Sequence, residues 1–184
     1  MIRRLYVHNF RCLENFELPI SGQSSVLLIG KNGSGKTTVG LALEILQKIA
    51  RGTNRIADLV KPKDLARGRA DVPMRFEIEV ELEAQLYKYT IAFAIPKSHR
   101  ETELFVLEEK LEVGGRVLYT RAAATLHVET RDAAATPPAL FRVPFLSIGV
   151  LRLCQSFRNS MAMIRFTFSN NGSPGYLSFG RCLA

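Results

Sequence analysis

Gly30-Lys31-Asn32-Gly33-Ser34-Gly35-Lys36-Thr37 is the stretch whose reading decides the fold: a glycine, four residues, then Gly-Lys-Thr. That spacing is the pattern of a phosphate-binding loop. Its flanks agree. Ser25-Val26-Leu27-Leu28-Ile29 reads as a short buried strand, and Thr37 to Ala50 reads as a helix. A strand, a glycine-rich turn and a helix in that order make a pocket for a nucleoside triphosphate. Glycines at 30, 33 and 35 let backbone N–H groups converge on an anion, and the start of the helix adds the positive end of its dipole. Lys36 is placed to reach the β- and γ-phosphates as a point charge, and Thr37 to offer its hydroxyl to Mg²⁺. Thr38 is a further contact for the α-phosphate, and Lys31, Asn32 and Ser34 complete the loop.

Outward from the loop, the periodicity is clear. Val39, Ala42, Leu43, Leu46 and Ile49 recur at helical spacing, widened by Leu41 and Ile45, and Arg51-Gly52 fits a helix stop. Ahead of the loop, Ile2 to His8 and Leu13 to Leu18 have strand character around a turn at Asn9-Phe10-Arg11-Cys12. Behind the helix, Thr53 to Pro73 is polar and basic and reads as a mobile connection with one short helix around Ile56 to Val60. Next, Phe76, Ile78, Val80 and Leu82 alternate with Glu77, Glu79, Glu81 and Glu83, which predicts a strand with one apolar and one acidic face. Leu86 to Ile95 answers it across a tight turn at Ala84-Gln85. Glu103 to Val113, Arg116 to Arg121 and Thr125 to Glu129 continue the meander, with Gly114-Gly115 as a hairpin turn.

Composition narrows the class. The 184 residues are 47% apolar and 23% charged, ordinary for one soluble globular core. Every apolar run falls well short of the roughly 20 residues of a membrane helix, and the N-terminus lacks the apolar core of a signal peptide, so a cytoplasmic protein is expected. Cys12, Cys154 and Cys182 suit neither a disulfide framework nor a zinc site and read as buried free thiols. The net charge of +8 is uneven: residues 1–70 hold 12 Lys/Arg against 5 Asp/Glu, and residues 71–112 hold 5 against 10. A basic end suits phosphates of a nucleotide or of nucleic acid, although no aromatic-plus-basic motif accompanies it. Residues 133–184 contain no Asp, Glu or Lys. Two readings of that tail stay open: a segment that packs on other parts or another chain, or, favoured here, a truncated or out-of-frame end. Ser169 to Gly175 within it reads as a loop.

Hydrolysis needs more than a phosphate cradle. A carboxylate must stand at the end of a buried strand to hold Mg²⁺ and orient water. The one candidate is Leu104-Phe105-Val106-Leu107-Glu108-Glu109, with Glu108 first. The competing reading, a meander strand running into a solvated edge, is favoured because a hairpin follows at once. His8, His99 and His127 stand alone and read as ordinary sheet or surface histidines.

Ile2 to Leu13 together with Leu28 to Thr38 resembles the opening of the RecF/SMC/OLD-like ATPases, which have an ABC-type head and are often grouped with AAA-family ATPases. The Asn9-Phe10-Arg11 turn about 20 residues ahead of the loop, and Asn32 inside it, carry the resemblance. It covers roughly residues 1–130. It implies an ATP-binding first lobe with Mg²⁺ as cofactor, and Arg11 near the phosphates. It implies work on DNA in repair, chromosome handling or phage defence, and a dimer or partner subunit that completes the site. The family's second lobe, with its strand-end Asp-Glu pair and dimer-completing signature, has no credible counterpart here, so the chain alone is not expected to hydrolyse ATP. The expected fold is α/β: a P-loop NTPase lobe of mixed sheet and one main helix (1–73), an antiparallel β-subdomain of the same lobe (74–130) and an atypical tail (131–184). The alternatives are a small P-loop phosphotransferase, or a non-catalytic nucleotide-binding protein.

Overall fold

The computed structural model describes residues 1–23, 25–53, 55–82, 84–96, 103–122, 125–128, 165–170 and 173–177. In chain order its elements are β1 (Ile2–His8), β2 (Phe16–Pro19), β3 (Ser25–Leu28), α1 (Lys36–Ala50), β4 (Met74–Leu82), β5 (Gln85–Ala94), β6 (Phe105–Val113), β7 (Arg116–Ala122), β8 (Thr125–Val128), β9 (Arg165–Asn170) and β10 (Ser173–Leu177). One antiparallel sheet runs in the order β2-β1-β4-β5-β6-β7-β8. The strand that delivers the loop, β3, lies outside it. It pairs in parallel with β9, which pairs antiparallel with β10. The predicted α/β class with one main helix is therefore what forms. Two strands flanking the turn at residue 9 belong to the same sheet as the meander, because β1 pairs with β4.

The large sheet has a wet face and a dry face. On the dry face Leu5, Val7, Met74, Phe76, Ile78, Val80, Ile91 and Phe93 pack with Val39, Ala42, Leu43, Leu46 and Ile49 of α1 in one core. Phe10, Phe76 and Phe93 form an edge-to-face chain, with centroids 5.2 and 6.2 Å apart. Helix α1 stops where the sequence placed its end. Gly52 takes φ +92, and its N–H donates to the Ile49 carbonyl at 3.0 Å. On the wet face Arg4 donates to Glu17 (2.8 Å), Glu77 (3.1 Å) and Glu79 (3.4 Å), Arg3 pairs with Glu81, and Arg75 bridges Glu77 and Glu108. The bond to Glu17, helped by Glu77, holds the Arg4 guanidinium well above its usual arginine value.

Four expectations need correction. The β3 strand is not buried: Leu27 and Ile29 are 55% and 78% exposed, because on that face no described element covers the strand. The connection after α1 is pinned rather than mobile. It forms short 3₁₀ turns at Ile56–Asp58, Pro62–Asp64 and Ala66–Gly68. Asn9 is buried and clamps it: its Nδ2 donates to the carbonyls of Arg69 (3.0 Å) and Val72 (2.6 Å), and its Oδ1 accepts from the Ala66 N–H at 3.1 Å. Cys12 is exposed, because it sits on the outer side of its turn; Cys154 and Cys182 lie outside the described residues. Within the predicted loop at 169–175, Ser169 and Asn170 end β9 and Ser173 to Gly175 open β10.

Three register shifts interrupt the large sheet, and two of them decide which side chains face the core. One between Ile2 and Arg4 brings Ile2 onto the dry face with Leu5 and Val7. The other, where β6 meets Ala92 and Phe93, leaves Leu107 38% exposed and turns Glu109 inward to 4% exposed. The buried Glu109 Oε1 accepts from the hydroxyls of Tyr89 (3.0 Å) and Tyr119 (2.9 Å), and Arg121 lies 3.9 Å from its other oxygen. Burial, then the Glu109 charge, pushes both phenols well above the usual value of 10.

Two outcomes are expected. Asn9→Ala leaves two part-buried carbonyls without their side-chain donor and weakens the hold on the buried Ala66 N–H, and should cost roughly 1–3 kcal/mol in urea unfolding. The tyrosines set an alkaline limit. The unfolded chain ionises them near pH 10 while the folded protein keeps them protonated, so their contribution is whole below pH 10 and is lost as pH rises above it. Stability measured from pH 8 to 11.5 should therefore fall above about pH 10, by roughly 1.4 kcal/mol per pH unit for each tyrosine. Tyr119→Phe should make that fall shallower.

Candidate phosphate-binding site

The loop is built by backbone conformations that its residue types select. Gly33 and Gly35 take φ +81 and +93, a region that side chains with a Cβ resist. At Gly35 the turn also leaves no room: an added Cβ would stand 3.2 Å from the Cys12 Sγ and 3.3 Å from the Leu13 Cδ2. At Gly30 it would stand 2.7 Å from the Ser34 Oγ. The loop is thus folded tightly over itself, with the turn from Asn9 to Leu13 pressed against its exit into α1.

Helix α1 begins at Lys36 with no side-chain cap and no acid in its first turn. The first intrahelical bond is donated by the Val39 N–H to the Gly35 carbonyl. The N–H groups of Lys36, Thr37 and Thr38 therefore have no acceptor within the helix, and the dipole's positive end is not neutralised. The Lys36 ammonium folds back over this end. It donates to the carbonyls of Gly30 (2.6 Å) and Lys31 (2.8 Å) and approaches the Ser34 Oγ at 3.5 Å. Lys36 and Thr38 are buried, whereas Lys31, Asn32, Gly33, Ser34 and Thr37 are open to solvent. A compact cation, uncapped amides, an open threonine hydroxyl and no carboxylate in the loop form a donor set that fits a phosphate group. Among the described residues no cluster of three His, Cys, Asp or Glu is placed to hold a metal; a magnesium ion here would rest on Thr37 and on phosphate oxygens.

The structure brings the loop and the residue-9 turn together, with Arg11 beside the cradle and Glu108 apart from it. Arg11 sits beside it: the Sγ of its neighbour Cys12 donates to the Thr38 Oγ1 at 3.4 Å. Its own guanidinium turns toward the connection after α1, where Nε donates to Asp64 Oδ1 at 3.0 Å. There it lines a cleft of about 240 Å³ with Leu41, Ile45, Lys48 and Lys61. Glu108 is farther removed. It lies on the wet face, opposite Ala92 and Ala122, and its carboxylate accepts from Arg75 at 2.5 Å. The α1 helix packs on the other face. Of the histidines, His8 accepts from the Asn15 N–H through Nδ1 at 3.1 Å, His127 is exposed on β8, and His99 lies outside the described residues. The residue that sequence reasoning missed is Asp64, one polar position in a basic connection. Its only signal was the helix-start spacing from Lys61.

A family model described as an AAA ATPase domain matches residues 1–126. OLD nuclease of Thermus scotoductus is 44% identical over 46 residues, which is 25% of this chain and 8% of that protein. Glutamate transport ATP-binding protein GluA of Corynebacterium efficiens is 35% identical over 75 residues, 39% of this chain and 31% of that protein. The chain thus spans less than a third of the curated relatives it matches. Among solved structures, the recombination mediator protein RecF with an ATP analogue aligns over 64% of this chain and 28% of its own, at 18% identity and a TM-score of 0.40. With the loop, the Asn9-Phe10-Arg11 turn and the family match on the same residues, the chain belongs to the AAA ATPase domain family.

Proposed function

We propose that residues 30–38 hold the triphosphate of ATP with Mg²⁺, and that the chain is the ATP-binding first lobe of a RecF/SMC/OLD-like ATPase. The observation that carries this reading is the Lys36 ammonium lying over an uncapped helix start, inside a loop whose Gly33 and Gly35 take left-handed φ of +81 and +93. An arriving phosphate takes over the donors that the loop carbonyls now hold. Gly30, Gly33 and Gly35 shape the cradle, Lys31, Asn32 and Ser34 line it, Thr37 offers its hydroxyl to the metal, Thr38 stands by the α-phosphate, and Arg11 approaches from the adjoining turn.

The wider role is part of the proposal. OLD nuclease and RecF, by their names, point toward nucleic-acid handling, and a cytoplasmic machine for DNA repair, chromosome handling or phage defence fits the basic first 70 residues. Residues 1–73 and 74–130 then act as one lobe, completed by a second copy or a partner subunit. Glu108 is engaged with Arg75 on the far face. That engagement supports the reading that the chain alone binds nucleotide without turning it over.

Two measurements test this. Mg-ATP at a hundredfold excess over its Kd should stabilise the folded chain by about 2.7 kcal/mol, several degrees in Tm, and Lys36→Ala should abolish that rise. An equal rise in the variant would remove Lys36 from the site. Phosphate release by the wild-type chain should match the Lys36→Ala background; turnover well above it would mean that a carboxylate does reach the loop.

A further inference from the structure

Asp64 is buried, 8% exposed, and each of its polar atoms is in use. Oδ2 accepts from the Lys61 N–H at 3.0 Å, Oδ1 accepts from Arg11 Nε at 3.0 Å, and its carbonyl accepts from the Arg11 N–H at 2.6 Å. Arg11 is thereby gripped at both ends, by backbone and by side chain, at a left-handed φ of +53 that an unheld arginine would leave. Its guanidinium carbon lies 5.6 Å from the Phe10 ring centroid, so one face of the guanidinium is backed as well. What remains is the outer edge of the fork. Among the described residues nothing accepts a hydrogen bond from Nη1 or Nη2, and the side chain is 45% exposed. Arg11 lines a cleft with Leu41, Glu44 and Lys48 of α1, Leu41 standing one turn beyond Thr38, and its neighbour Cys12 touches Thr38 itself.

We propose that Asp64 is a positioning residue: by holding Nε, it presents the two terminal nitrogens of Arg11 to the α-phosphate of the nucleotide at the loop. This rests on the nucleotide-binding reading above and adds to it a residue that touches no ligand. A guanidinium orients a phosphate through its fork, and a fork fixed by a buried carboxylate loses less rotamer freedom when it binds. Because the contact is at the α-phosphate, ADP and ATP feel it equally.

The test is a double-mutant cycle on the full chain, read by titration with Mg-ADP and Mg-ATP. Arg11→Ala and Asp64→Asn should each weaken both nucleotides by about tenfold or more, and the double variant should be no weaker than Arg11→Ala. Asp64→Glu should recover part of the loss. Melting of each variant without nucleotide separates this from loss of fold, and Arg11→Lys gives a version that leaves Asp64 intact. Lysine keeps the charge but lacks Nε and the fork, so it should bind about as weakly as alanine. Wild-type affinity in Asp64→Asn or in Arg11→Lys, or losses that multiply in the double variant, would overturn the proposal while leaving the loop reading intact. Absence of Lys36-dependent binding in the wild-type chain would overturn both.

Discussion

The turn from Asn9 to Leu13 is the joint on which the rest of the molecule depends. Asn9, Arg11 and Asn15 all have left-handed backbone conformations, which cost free energy for residues other than glycine. They persist because their surroundings over-determine them. Asn9 satisfies three backbone groups of the connection after α1, Phe10 is buried in the sheet core and bridged to Leu13 and Leu65, and Arg11 is tied to Asp64 twice. On its outer side the same turn presses Cys12 and Leu13 against Gly35. One short turn thus links the first strand of the sheet, the connection behind the helix and the entrance of the helix.

Electrostatics follow from that layout. The acidic excess of residues 71–112 sits largely on the wet face of the sheet, where Arg3, Arg4 and Arg75 answer Glu77, Glu79, Glu81 and Glu108. Because those carboxylates already have cations of their own, they neutralise little of the positive charge at Lys31, Lys61 and Lys63, none of which has an ion-pair partner among the described residues. A positive field on the loop side of the molecule favours the approach of anions. Arg67 and Arg69, by contrast, are engaged by Glu14.

The loop and helix were legible because their signals are local. Glycine at a left-handed position, lysine at the helix start and a 3.6-residue apolar period act through their own backbone, whatever surrounds them. The meander was legible for the same reason: Phe76, Ile78 and Val80 against Glu77, Glu79 and Glu81 need only a strand and a core on one side. Glu109 was not legible. Its burial comes from a bulge in β6 that changes the phase of alternation, and the pattern Leu107-Glu108-Glu109 gives no sign of which acid turns inward. Asp64 was hidden for a related reason, since its partner lies 53 residues earlier in the chain.

From its amino acids alone this protein was determined to have a phosphate cradle, a single principal helix and an antiparallel meander, since each rests on conformational preferences that neighbours along the chain enforce. Tertiary structure decided which strands share a sheet, which of two adjacent acids is buried, and which carboxylate holds Arg11. Those outcomes depend on contacts between residues far apart in sequence, whose energies exist only once the core has closed around them.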